Sequence, residues 1–205
     1  TQQIIAEILP TLLSKFPWPK SMRWGRGTLH WIRPLQTILC VLDKEIIPIS
    51  IDGIQASNTT SGHRFLAPSS FKVTAFADYA SQLEKSKVLL DPRAREKRIL
   101  EEARNTDSKR FHLELVQDEG LVAENAGLTE WPVALMGSFD EAFLEVPPEV
   151  LITAMKRHQK CFSLVDPKTK KLANKFILIS NLVAKDGGQS IISGYEKVLH
   201  YSRSC

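Results

Sequence analysis

Strand-forming residues gather in separated blocks along this chain, at Leu29 to Ile51, Trp131 to Met136 and Lys175 to Ser180, with stretches of helical spacing between them. In these blocks β-branched and aromatic side chains concentrate between turn signals, the pattern of strands. The blocks do not alternate with helices in a regular β-α repeat, which argues against a doubly wound parallel sheet. An α+β fold is predicted instead, with a mixed or antiparallel sheet and flanking helices. No internal repeat and no low-complexity segment interrupts it.

Within that frame, Ile4, Ile5, Ile8, Leu12, Leu13 and Phe16 recur at helical spacing, with Pro10 expected to break or restart the helix and Pro17 and Pro19 to end it. Strands are expected at Leu29 to Arg33, Thr37 to Leu42 and Glu45 to Ile51, the last two joined across Asp43-Lys44 as a hairpin. Phe76 to Ser86 reads as a helix and Lys87 to Leu90 as a strand. Asp91 is placed to cap a charged, mostly solvent-facing helix over Arg93 to Ala103, with Pro92 at its first position. A further helix is expected from Leu113 to Ala126, closed by Gly127. Pro148 to His158 reads as a helix, Lys160 to Val165 and Lys175 to Ser180 as a hairpin around Asp166 to Thr169, and Gln189 to Leu199 as a final helix.

The 205 residues suffice for one large or two small cores. The net charge of +4 comes from 27 basic against 23 acidic residues, an imbalance that permits contact with a polyanion without requiring it. No apolar run approaches the ~20 residues that span a bilayer, and the N-terminus lacks the pattern of a secretory signal, so a cytoplasmic location is expected. Cys40, Cys161 and Cys205 are odd in number and lack metal-type spacing; Cys40 and Cys161 read as small core hydrophobes. The chain opens on Thr1 rather than Met, which suggests a piece excised from something longer.

Two groups of residues are candidates for binding. Gly62-His63-Arg64-Phe65 follows the polar run Ser57 to Ser61, so His63 and Arg64 could present donors to a phosphate or a carboxylate; alternatively they bond nearby carbonyls and pin the loop. Lys156, Arg157, His158 and Lys160 cluster at an expected helix C-terminus, where the helix dipole favours cations for structural reasons and where the same donors could meet an RNA backbone. Gln159 could join them by bonding a base edge. Lys168, Lys170 and Lys171 read as a solvated turn, and Trp24, Trp31 and Trp131 as packing residues more than base-stacking ones. Asp140, Glu141 and Glu145 do not form a metal-ligand grouping. The chain carries no phosphate-binding glycine loop, no His-Glu-x-x-His and no nucleophile elbow, so no catalytic residue and no bound cofactor are assigned to it.

Met22-Arg23-Trp24-Gly25, Gly62-His63-Arg64-Phe65-Leu66, Thr129-Glu130-Trp131-Pro132-Val133-Ala134 and Met155-Lys156-Arg157-His158-Gln159-Lys160 mix Trp, Gly, Arg and His at fixed places. In this order and spacing they resemble the beta subunit of bacterial-type, heterotetrameric glycyl-tRNA synthetase. The resemblance covers most of the chain. It implies a segment of a subunit that works with an alpha subunit, a second beta subunit and tRNA(Gly) in an alpha2beta2 assembly, with ATP and magnesium used at the alpha subunit's adenylation site. It further implies an α+β unit similar to the editing-type module of the phenylalanyl-tRNA synthetase beta chain. On that basis residues 1–27 are an N-terminal helix and linker and 28–199 the α+β domain, divisible near 91–128. Two departures stand out: Tyr195 replaces the family's Asn, and the tail 200–205 does not resemble the family's continuation, as in a cut and tagged fragment or a truncated or frame-shifted reading frame. The family's anticodon-binding domain is expected beyond the C-terminus. Two rival roles are an editing-type hydrolase acting on aminoacyl-tRNA and a purely structural assembly domain.

Overall fold

The computed structural model describes residues 1–106 and 111–201, with 198–201 described by backbone alone. Two compact units divide the chain, Thr1–Ser86 and Lys87–Cys205. The architecture is α+β. Most of the atypical tail, like Cys205, lies outside the described residues.

The first unit starts with α1 (Gln2–Ser14), which runs through Pro10 without ending there. Short strands follow: β1 (Ile38–Leu39), β2 (Val41–Leu42), β3 (Glu45–Ile46), β4 (Ser50–Ile51), β5 (Ile54–Ser57), β6 (Thr59–Ser61) and β7 (Ser70–Lys72), before α2 (Phe76–Lys85). The expected hairpin forms: Val41 faces Ile46 and Leu42 faces Glu45, with Asp43 and Lys44 both at positive φ, as a two-residue hairpin turn demands. A second such turn at Asp52-Gly53 joins β4 to β5. The strand expected at Leu29 to Arg33 does not form. Of that segment only Trp31 pairs, in a single bridge to Met22, while its ring joins Trp18 and Phe16 in an aromatic cluster with Trp18 and Trp31 centroids 5.0 Å apart.

The second unit contains α3 (Pro92–Asn105), β8 (Glu114–Leu115), α4 (Glu119–Leu128), β9 (Val133–Ser138), α5 (Pro148–Ala154), β10 (Phe162–Val165), β11 (Leu172–Ser180) and α6 (Gln189–Tyr201). Among the described residues β8, β10, β11 and β9 form one antiparallel sheet in that order. Its two-residue side-chain period sorts β11 between two cores. Ile177 and Ile179 enter a cluster with Ile99 and Ala103 of α3 and Leu121, Val122 and Ala126 of α4. Phe176 and Leu178 point the other way, to Phe139, Met155, Cys161 and the α6 residues Ile191, Ile192 and Tyr195. Gly137 lies opposite Phe176 in the ladder, and a Cβ there would run into the Phe176 ring.

Local chemistry explains where these helices start. The Asp91 carboxylate accepts from Arg93 N at 2.9 Å with Pro92 at the first helical position, and Asp118 accepts from Leu121 N at 2.9 Å. The expected helix from Leu113 to Ala126 is instead β8 followed by α4, which continues past Gly127 to Leu128. Lys87 to Leu90 is not a strand. Its carbonyls are taken by Arg95, which bonds Leu89 O, Leu90 O and, at 2.7 Å, Ala126 O. The charged helix α3 is therefore less solvent-directed than its composition suggests. Arg98 pairs with Glu102, donates to Pro132 O and lies 4.1 Å from the Trp131 ring centre, and Glu102 accepts from Ala134 N.

Candidate nucleic-acid interface

The basic stretch Lys156 to Lys160 occupies the end of α5, where the helix widens into a π-turn over Met155–Gln159. Such turns are uncommon and recur at functional sites. Lys160 closes the turn in the left-handed conformation, φ 56°, with its N–H and that of Cys161 both directed to Met155 O. An L-residue takes that conformation only when its surroundings hold it there. They are supplied by α4: buried Asn125 donates to Lys160 O at 3.1 Å, the Lys160 ammonium pairs with Glu124 at 2.7 Å, and Lys156 pairs with Asp118 at 2.5 Å. Both ion pairs are partly solvent-exposed, so each contributes under ~1 kcal/mol and serves mainly to fix position.

This arrangement divides the candidate residues. Lys156 and Lys160 are turned to carboxylates of α4, whereas Arg157 and His158 are exposed and have no carboxylate within ion-pair distance among the described residues. Gln159 keeps its Oε1 buried without a described hydrogen-bond partner, so it does not offer that atom to a ligand on the surface. Lys156, acting as donor to Asp118, and the Leu121 N–H hold the Asp118 carboxyl below its ordinary range.

His63 and Arg64 belong to the first unit. The His63 ring is buried, and its Nδ1 accepts from both Phe65 N and Leu66 N at 3.2 Å. The imidazole thus holds the loop by accepting N–H bonds, where the expectation from sequence is of His63 and Arg64 donating to nearby carbonyls. Nδ1 is thereby unavailable as a base, and the ring proton sits on Nε2. Arg64 is exposed, its guanidinium 5.5 Å from the Phe65 ring centre.

The remaining candidates have structural surroundings. At the β10–β11 turn Asp166 accepts from Lys168 N and Thr169 N, which lowers its pKa, and Lys170 pairs with Glu114 at 3.4 Å. Trp131 is half-buried between Lys87 and Arg98. The Cys161 thiol is pushed up to about 12 by burial, so it is not a thiolate at neutral pH. Among the described residues no group of three or more His, Cys, Asp and Glu is placed to hold a metal ion. A cleft of about 860 Å³ between α3, α4 and β8 is lined by the acidic residues Glu96, Glu114, Asp118 and Glu119 together with Arg104. Sequence reading missed the residues that decide this site, Asp118, Glu124 and Asn125, because each acts from α4 on a distant stretch of chain.

A family model described as glycyl-tRNA synthetase beta subunit matches residues 1–202. The chain belongs to that family. Similar curated relatives include the glycine–tRNA ligase beta subunits of Ruegeria sp. (strain TM1040), 51% identical, and Paracoccus denitrificans (strain Pd 1222), 48% identical, each over 201 residues. The match covers 96% of this chain and 29% of either relative, so the chain spans less than a third of their length. The motifs around Trp24, His63, Trp131 and Arg157 thus belong to a glycyl-tRNA synthetase beta-subunit segment. No helix among the described residues is long and apolar enough to cross a membrane.

Proposed function

We infer that this segment supports ATP-dependent glycylation of tRNA(Gly) by contributing structure and a tRNA contact, while adenylation takes place on a separate alpha subunit. The observation that carries the reading is the division within the basic stretch. α4 fixes the π-turn through Lys156, Lys160 and the Lys160 carbonyl, and the side chains left at the surface are Arg157 and His158. A cationic residue held on an anchored turn is suited to a phosphate, since little backbone freedom remains to be lost on binding. The whole enzyme acts in the cytoplasm as two alpha and two beta chains, with ATP and magnesium at the alpha subunit. Arg64 adds a second basic contact from the first unit.

The reading is tested by measuring tRNA(Gly) affinity at several salt concentrations for the wild type, Arg157→Ala, and Lys156→Ala. If Arg157 meets a phosphate, its removal weakens binding to all RNA sequences alike and flattens the log-log salt slope by about one unit. Lys156→Ala should act chiefly on thermal stability. An Arg157→Ala slope equal to that of the wild type refutes the contact.

A further inference from the structure

Beside the buried His63, the chain exposes an aromatic side chain that nothing so far accounts for. Phe65 is 67% exposed although its neighbour His63 is 1% exposed, and it sits in a loop with unusually little freedom. His63 N donates to Ser86 O and Ala67 N to His63 O, both at 2.9 Å, while the imidazole takes the N–H groups of Phe65 and Leu66. Gly62 enters the loop so close to Ser86 and the Ala67 carbonyl that a Cβ there would collide with both. The arrangement has a cost. His63 Nε2, which must carry the ring proton, is buried with no acceptor among the described residues.

A ring presented to water on a loop fixed by five such constraints would lose little backbone freedom on meeting a ligand. The partner's chemistry is indicated by Arg64, exposed and with its guanidinium 5.5 Å from the ring centre. An exposed ring with a planar cation over one of its faces suits a flat π-system that carries negative charge nearby, which describes a nucleobase with its phosphate. We propose that Phe65 and Arg64 form a stacking platform for an unpaired base of RNA, with His63 as the positioning residue that holds the loop. This rests on the tRNA-binding reading and specifies the part of the RNA met here: an unpaired base, not a duplex backbone.

The test uses the full chain with two probes, a tRNA(Gly) transcript and a short unstructured oligoribonucleotide, and the variants Phe65→Ala, Phe65→Leu, Phe65→Trp and Arg157→Ala. Because Phe65 is mostly exposed, its variants should fold, and melting curves check that they do. Stacking predicts that Phe65→Ala weakens binding of both probes roughly 5- to 150-fold, the range for loss of one stacked base, with the salt slope unchanged because no charge is lost. Phe65→Trp should bind at least as tightly as the wild type, and Phe65→Leu as weakly as Phe65→Ala. Wild-type affinity in Phe65→Ala overturns the platform, as does wild-type affinity in Phe65→Leu, which would mark a simple apolar contact. The two readings fail separately: a loss in Phe65→Ala without a slope change in Arg157→Ala removes the phosphate contact and keeps the platform, and the reverse result removes the platform alone. A wild-type chain that binds neither probe overturns both.

Discussion

Asp118 carries two loads at once, as N-cap of α4 and as partner of Lys156, and substitutions can separate them. Asp118→Ala removes both and should cost about 0.5–2 kcal/mol, the usual range for a lost cap. Asp118→Asn keeps an acceptor for Leu121 N and loses only the exposed ion pair, so it should cost under about 1 kcal/mol; denaturant titration of the two variants gives the comparison. The pH dependence follows from the same contacts. Because its folded pKa lies below the ordinary 3.8, Asp118 contributes stability that is fully present above that value and is lost as the pH falls through the depressed one. Lys156→Met removes the largest cause of the depression, so an NMR titration should find the Asp118 carboxyl shifted upward. An unmoved titration would show that the backbone N–H groups of Leu121 and Gly120 hold it. Cys161 gives a further residue-level check. With its pKa near 12 in the folded state, it should resist alkylation at pH 8 until the chain is unfolded, as mass spectrometry can measure.

At the level of elements, the sheet of the second unit depends on the pairing of Gly137 with Phe176. Gly137→Ala places a methyl group against the Phe176 ring and should destabilise by about 1–3 kcal/mol, while Phe176→Ala empties a fully buried site and should cost about 3–5 kcal/mol. If the ring is what Gly137 makes room for, the double variant will cost less than the sum of the two, which thermal or denaturant unfolding can decide. Which elements could be read from sequence follows from how local their determinants are. α3 was legible because Asp91 and Pro92 sit at its own start, and the Asp43-Lys44 hairpin because its turn residues are contiguous. Leu29 to Arg33 has strand-forming residues, but a strand exists only with a partner, and the chain offers this one a single bridge at Trp31. The density of apolar residues from Leu113 to Ala126 concealed the break at Asp118, although an Asp three residues before Leu121 is a capping signal that could have located it.

For the whole molecule, the candidate site was legible as a list of cations and not as an arrangement. Nothing near Lys156 to Lys160 in sequence indicates that Asp118 and Glu124 engage two of the cations and leave Arg157 and His158 at the surface. Likewise, the burial of His63 beneath an exposed Phe65 is a matter of tertiary placement, since four adjacent residues of the same loop could as well have pointed the other way. The family assignment needed none of this, because it rests on residue identity along 1–202. The proposed division of labour carries a consequence for activity: a preparation of this chain free of alpha subunit should show no glycine-dependent ATP–pyrophosphate exchange, and measurable exchange would refute it. The central claim, that this segment meets tRNA through the anchored π-turn, is tested most directly by mapping backbone amide shifts of the labelled chain as tRNA(Gly) is added. The account predicts saturable shifts at residues 157–159, with the buried strand β11 unmoved. Shifts that spare 157–159 while tRNA binds elsewhere on the chain would contradict it.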